Sequence, residues 1–407
     1  MIQLPCQLGS LDIVDCANVE VIISIRGKEK EATASNNDAI KFPALKYLTL
    51  VGLRNFKKFY SPLMEGQYLF NHQVSFPVLG YLSIQRLTDI IKIWEVESMI
   101  QLPSQLRLLE IRDCANVEVI ISIRGKEKGA IASNNDAIKF PALGNLTLEG
   151  LPNFKKFYSP LMEGQYLFNH QVSFPVLTYL IICGLTNIIK IWEVESMIQL
   201  PSQLLSLSIR DCANVEVIIS IRGKEKEATA SNNVAIKFLA LGYLSLEGLP
   251  NFKKFYSPLM EGQYLFNHQV EFPCLLQLTI SAVTNIEEIW SDTLPVNSFG
   301  QLIRVELRDC NKITSLASSK LVARFQRLQY LNITQCDSLQ VVFRAEGRNK
   351  AGTNAGEFMF PPQLRELKIE DLPNLESFFS EPPLLQLPST VTLIEENCPK
   401  WRHLPNC

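Results

Sequence analysis

No apolar run in this chain of 407 residues approaches the ~18 expected of a membrane-spanning helix, so the sequence holds no candidate for one. The opening stretch MIQLPCQLGSLDIVDC has neither the basic leader nor the apolar core of a secretory signal, and a cytoplasmic chain is expected. In a reducing compartment the ten cysteines have no reason to pair, so disulfides are not expected. An excess of charge is missing too: 39 lysines and arginines face 41 aspartates and glutamates, a formal net charge of -2, which leaves no electrostatic footprint for nucleic acid. Histidines number four, and no C-x-x-C, H-E-x-x-H, G-x-S-x-G, phosphate-loop or EF-hand pattern occurs. The usual sequence routes to metal, nucleotide or nucleophilic chemistry are absent, so neither an enzyme nor a cofactor is expected.

What the chain has in abundance is repetition. MIQLP begins at Met1, Met99 and Met197, a spacing of 98 residues, and DCANVEVIISIRGKEK stands unchanged at Asp15–Lys30, Asp113–Lys128 and Asp211–Lys226. After Trp290 the copying decays, although LRDC at Leu307–Cys310 still echoes IRDC at Ile111–Cys114. A finer rhythm runs inside each unit: L-x-x-L-x-L/I, followed after two residues by Cys or Leu. It begins at Leu8, Leu45 and Leu79, again at Leu106, Leu143 and Leu177, and again at Leu204, Leu241 and Leu275. The divergent tail continues it at Leu302, Leu328 and Leu364, with a degraded thirteenth copy around Leu393 and Cys398.

This is the pattern of a leucine-rich repeat, in which a short strand turns its leucines inward and the intervening residues outward, and stacked neighbours share one core. The expected fold is an α/β leucine-rich-repeat solenoid over 1–407, with internal copies 1–98, 99–196 and 197–294, divergent repeats 295–407 and no nucleotide-binding domain. Its shape would be a curved horseshoe, with about twelve or thirteen short parallel strands on the concave face and irregular loops and short helical turns on the convex side. The repeat intervals of 37, 34 and 27 residues mean that two repeats of every three carry insertions. One is the charged IRGKEKEATASNND beginning at Ile25, expected as a solvated loop. The other is YSPLMEGQYLFNHQ beginning at Tyr60, whose aromatics suggest that it folds back on the flank.

Several residues look chemical and are better read as scaffold. Cys16, Cys114, Cys212, Cys310 and Cys336 share one repeat position, where the chain turns inward at the end of a strand. Cys16, Cys114 and Cys212 are three strands apart, about 14 Å, too far to converge on zinc. His72, His170 and His268 repeat in FNHQV with the same wide separation and no adjacent nucleophile, as flank residues would. Lys28, Lys126 and Lys224 follow glycine but precede glutamate, which spoils the phosphate-loop pattern.

Function is sought where the copies disagree. Residues 1–98 and 99–196 differ at sixteen positions, and eleven of these fall among the fifteen outward strand positions, where random scatter would place about two or three. No framework leucine or isoleucine changes. The outward strand face is therefore read as a diversified recognition surface for a protein ligand, with candidate contact residues along the whole array. In the first copy these are Asp12, Val14, Lys46, Tyr47, Tyr81 and Gln85. The second contributes Arg107, Glu110, Arg112, Asn145, Glu149 and Tyr179, and the third Arg210, Tyr243 and Gln277. The tail adds Arg304, Glu306, Arg308, Tyr330, Arg365, Glu366 and Lys368.

LTLEGLPNFKKF at Leu146–Phe157, LKIEDLPNLESF at Leu367–Phe378, the L-x-I-x-x-C strands and the closing ENCPKWRHLP at Glu396–Pro405 carry a resemblance. Together they resemble the leucine-rich-repeat region of plant nucleotide-binding leucine-rich-repeat disease-resistance receptors, especially the coiled-coil class, over essentially the whole chain. The resemblance implies a cytosolic immune module that senses a pathogen effector or its host target and restrains a nucleotide-binding domain on the same polypeptide. No part of that domain is present in this sequence. Two further readings stay open at this point: a substrate adaptor for ubiquitin ligation, which needs an F-box-like segment ahead of the repeats, and a nonfunctional truncated receptor fragment.

Overall fold

The computed structural model describes residues 7–24, 40–61, 67–97, 102–123, 138–159, 165–195, 200–221, 236–257, 264–344, 360–380 and 390–401. Its contacts divide the chain into two compact units, Met1–Pro201 and Ser202–Cys407. In each unit every leucine motif forms one five-residue strand of a parallel ladder. The first unit holds β1 (Ser10–Val14), β2 (Tyr47–Val51), β3 (Tyr81–Gln85), β4 (Leu108–Arg112), β5 (Asn145–Glu149) and β6 (Tyr179–Cys183). The second holds β7 (Ser206–Arg210), β8 (Tyr243–Glu247), β9 (Gln277–Ser281), β10 (Arg304–Arg308), β11 (Tyr330–Thr334), β12 (Glu366–Glu370) and β13 (Thr392–Glu396). The degraded thirteenth motif is thus a strand like the others.

The register repeats without a slip inside each unit: Ser10 pairs with Tyr47, Tyr47 with Tyr81, Tyr81 with Leu108, and in the second unit Tyr243 with Gln277 and Gln277 with Arg304. Period-two alternation then puts the second and fourth residues of each strand inside and the first, third and fifth outside. Leu109 and Ile111 are fully buried while Leu108, Glu110 and Arg112 stay half-exposed. A one-residue slip would reverse this and bury charges, so the leucine spacing itself holds the register.

Every strand ends in a residue with left-handed backbone. Asp15, Arg86, Asp113, Asp211, Ala282, Asp309, Gln335, Asp371 and Asn397 have φ between 52° and 56°, and Gly52, Gly150, Gly184 and Gly248 between 60° and 68°. This corner ends the outward run and sends the next apolar residue, such as Cys114 or Leu151, into the core. After the corner, the asparagine of each LPNF-type motif reaches back one repeat: Asn153 Nδ2 donates to the Ala115 carbonyl at 2.9 Å, and Asn251 to that of Ala213 at 2.8 Å. Beside them Lys155 pairs with Glu118 at 2.7 Å and Lys253 with Glu216 at 2.8 Å. The unvarying DCANVEV and NFKKF stretches are therefore the two halves of one inter-repeat contact.

The short helical turns expected on the return side reduce to one four-residue helix among the described residues, α1 (Ser319–Val322). Among the described residues that side carries short parallel strands instead: Lys92–Val96 pairs with Tyr68–Asn71 and with Val119–Ile123, and Val341–Arg344 with Ser377–Phe379. The reason is composition, since VIISI, KIWEV and KFYS are dense in β-branched and aromatic residues, which favour strands over helical turns. No helix among the described residues is long and apolar enough to cross a membrane.

The second insertion does fold back where it is described. Tyr68 and Phe70 are buried, and Phe70 lies 5.3 Å from Phe59 and 5.7 Å from Trp94. The next copy repeats the cluster, with Phe157, Phe168, Phe174 and Trp192 in contact. The first insertion, with Lys28, Lys126 and Lys224, lies outside the described residues. One expectation needs correction: Cys16 is exposed, whereas Cys114, Cys212, Cys310 and Cys336 are buried. Among the described residues β1 is the edge of its ladder, paired only with β2, so nothing covers the far side of its corner.

Candidate functional site

The outward face consists of three lanes, one for each exposed strand position. None of the candidate contact residues is buried. In the first unit the leading lane carries Tyr47, Tyr81, Leu108, Asn145 and Tyr179. Tyr47 and Tyr179 are 55% and 47% exposed, and the Tyr47 and Tyr81 rings lie 6.3 Å apart. Lys46 and Arg107, one residue ahead of their strands, are exposed beside this lane. The other two lanes are polar and interlinked. Ser10 donates to Asp12 at 2.9 Å, and Val14, half in water, flanks them on the edge strand. Arg112 Nε stands 2.7 Å from Glu110 and 3.5 Å from Glu149, while Ser83 donates to Glu110 at 3.0 Å. Gln85 donates to Ser83, completing a network across three strands.

The second unit has the same plan with more charge. Tyr243 is 51% exposed on the leading lane, followed by Gln277, Arg304, Tyr330 and Glu366. The Arg304 guanidinium sits 4.2 Å over the Tyr330 ring, a cation–π contact that holds both side chains upright. Arg304 also approaches Glu306 at 3.7 Å, Arg308 donates to Gln335 at 3.0 Å, and Lys368 pairs with Glu370 at 2.5 Å. That pair, with Glu396 and Glu366 nearby, raises the Lys368 ammonium above its ordinary range. Arg210 is half-buried in β7, and Arg365 is exposed just before β12.

The structure thus brings the candidates together on one face of each unit, but in small groups rather than as one convergent centre. It also shows residues that comparison of the copies does not reach. Glu247, Thr279, Glu370 and Asp371 line a cavity on the second unit's face. Glu247 lies in the third copy, outside the comparison of 1–98 with 99–196, although its position varies there, Val51 against Glu149; that variation and its place at the fifth strand position were the available signal. Ser83 is a miss of the opposite kind, an outward position that varies between copies yet is buried under Glu110 and Gln85.

The cysteines and histidines have other work. Cys114 accepts a hydrogen bond from the Leu87 amide at 3.4 Å and donates to the Arg112 carbonyl at 3.2 Å, sewing adjacent corners together. Burial pushes its thiol up to about 11, which keeps it neutral and unreactive at pH 7. Cys310 is held high as well, by its hydrogen bond with Cys336 in the next repeat and by burial. His72 and His170 stand on the flank, 3.6 Å and 3.5 Å from Glu97 and Glu195.

Comparison with known proteins agrees with this architecture. A family described as plant disease resistance protein RPS2-like leucine-rich repeats matches residues 61–170, 159–269 and 275–404. No curated protein matches the chain. Among solved structures, the novel circular leucine-rich-repeat protein CroV588 aligns at 12% identity and a TM-score of 0.23, too low to carry an argument. That alignment covers 89% of this chain and 64% of CroV588, so the chain spans under two thirds of that protein's length. Repeat register, cross-repeat asparagines and the family match over most of the chain lead to one conclusion: this chain belongs to the RPS2-like leucine-rich repeats of plant disease resistance proteins.

Proposed function

We propose that the chain, residues 1–407, is a non-catalytic protein-recognition module, and that the outward strand faces take a protein ligand in the cytoplasm. In the setting of its family the ligand is a pathogen effector or the host protein that the effector modifies. A nucleotide-binding domain on the same polypeptide is the other partner this role requires. The observation that carries the reading is the leading lane, where Tyr47, Tyr179 and Tyr243 each stand about half in water on a regular strand. Such rings add nothing to the core. A tyrosine held by a strand presents a large amphipathic surface and loses little freedom on binding, and tyrosine and arginine are enriched at interface hot spots. Variation concentrated on this face, over an unchanged contact between repeats, supports the same reading.

The test is a mutational scan of the intact chain against a ligand selected from effector and host-protein libraries. At least one of Tyr47→Ala, Tyr179→Ala and Tyr243→Ala is expected to weaken binding by about ten-fold or more, as for a hot spot. Flank controls Lys57→Ala, Lys155→Ala and Lys253→Ala are expected to change it by less than about two-fold. Equal sensitivity of face and flank would overturn the proposal.

A further inference from the structure

The face of the second unit is not smooth. A cavity of about 370 Å³ opens on it, spanning β8 to β12. Its origin is an alternation of side-chain length across the ladder. At the fifth strand position Glu247, Ser281, Arg308, Thr334 and Glu370 follow one another, long residues alternating with short. At the third position Thr279, Glu306, Asn332 and Lys368 do the same. Ser281, Thr334, Thr279 and Asn332 form low ground, and the longer side chains stand around it as walls.

The hydrogen-bonding inventory of this hollow is lopsided. Four carboxylates line it, those of Glu247, Glu306, Glu370 and Asp371, against two cationic side chains. Lys368 is engaged by Glu370, and Arg308 turns its Nε to Gln335. The acceptors are not exhausted. Glu247 receives the Ser245 hydroxyl, Glu306 the Thr279 hydroxyl at 3.4 Å with Arg304 3.7 Å away on its outer side, and Asp371 the Asn397 amide at 2.8 Å, while each carboxylate offers about four lone-pair directions. The side-chain oxygen of Asn332, in the floor, is buried without a donor among the described residues. A half-open, acceptor-rich and net-negative hollow is complementary to a group that is cationic and carries several N–H donors.

We infer that this cavity is a socket for a cationic side chain, an arginine or lysine projecting from the protein ligand. The inference rests on the proposed recognition role of the face and adds the chemistry of one anchor to it. Glu247 and Glu306, on β8 and β10 with the short residues of β9 between them, form the wall that takes the charge. A planar guanidinium suits two such carboxylates, because its fork of donors can meet both at once.

The test needs no natural ligand. The intact chain, labelled at threonine methyl groups, is titrated with the blocked peptide Ac-Gly-Arg-Gly-NH2. Parallel titrations use peptides in which citrulline or glutamate replaces arginine; citrulline keeps the shape and donors while losing the charge. Saturable shifts at the Thr279 and Thr334 methyls are expected with the arginine peptide. Binding should weaken roughly ten-fold for citrulline and vanish for glutamate. The double variant E247Q/E306Q, which keeps size and polarity, should lose most of the arginine response. Equal binding of the arginine and citrulline peptides, or no localised saturable shift with arginine, would overturn the socket. A selected ligand that is sensitive to the face tyrosines while wild-type protein ignores the arginine peptide would sink this inference and leave the recognition role standing.

Discussion

Gly150→Ala should destabilise the first unit by about 2 kcal/mol, although it adds a single methyl group near the surface. Gly150 closes β5 with φ at 62°, where a β-carbon costs about 1–2 kcal/mol in backbone strain. Loss of glycine's freedom in the unfolded chain offsets about 0.4–1 kcal/mol of that. The neighbouring corner adds the rest. A β-carbon on Gly150 would lie 2.4 Å from Asp113 Oδ1, 3.2 Å from the Asp113 amide nitrogen and 3.3 Å from its Cα. The carboxylate can swing away, but the backbone atoms must give by a few tenths of an ångström. Elsewhere in the chain Ala282 has φ 52° beside Gly248, a corner pair in which the preceding residue has no side chain to move. The double variant D113G/G150A recreates that pairing. It should recover about 1 kcal/mol relative to the sum of the two single changes. Urea unfolding followed by far-ultraviolet circular dichroism gives the cycle. Hydrogen exchange at the Asp113 and Gly150 amides, which bond the Glu149 and Cys183 carbonyls, reports the corner directly. A G150A protein within 0.5 kcal/mol of wild type, or a double variant no better than additive, would refute the reasoning.

Two further outcomes follow from the core. Phe157, fully buried against Phe140, Phe168 and Phe174, should cost about 3–5 kcal/mol when cut to alanine. Exchange should rise not only in 154–159 but in Tyr166–Asn169, because Phe168 would lose its neighbour; a change confined to the mutated strand would show that the folded-back insertion does not depend on the cluster. Cys114 makes stability pH-dependent. Its folded thiol titrates near 11 rather than the ordinary 9.0, so the unfolded chain releases its proton first. The stabilisation is complete below pH 9 and is lost as pH rises from 9 through 11, about 3 kcal/mol in all. Unfolding midpoints from pH 8 to 11 should therefore fall less steeply for Cys114→Ala than for wild type, and parallel curves would count against this assignment.

Much of the architecture was legible in the chain because it depends on local spacing. The L-x-x-L-x-L motif prescribes both the strand and which of its residues face inward, and the thirteenth copy around Leu393 formed its strand despite poor agreement. The copy comparison found the outward face for the same reason, since a period of two needs no tertiary information. It could not see that Ser83 is covered by Glu110 from the next strand, nor that Arg112 stands between Glu110 and Glu149. These are contacts between repeats, and repeat intervals of 27 to 37 residues hide them from any local pattern. The inward cysteine position was legible for the later repeats and wrong for Cys16, because the preceding repeat covers it, as Leu87 covers Cys114, and β1 has no preceding strand among the described residues.

By itself, then, the sequence determined the repeat, the strand register, the inward leucines and the outward lanes, all consequences of the geometry of one strand and its turn. Tertiary structure decided what stacking creates. Stacking made Asp113 the neighbour of Gly150 and joined Asn153 to Ala115 across repeats. It buried the aromatics of the second insertion, turned the return runs into strands, and opened the hollow between Glu247 and Glu370 where short residues of alternate strands fall into line. Each of these depends on which residues parallel pairing places side by side, about 4.8 Å apart in space and some thirty residues apart in sequence.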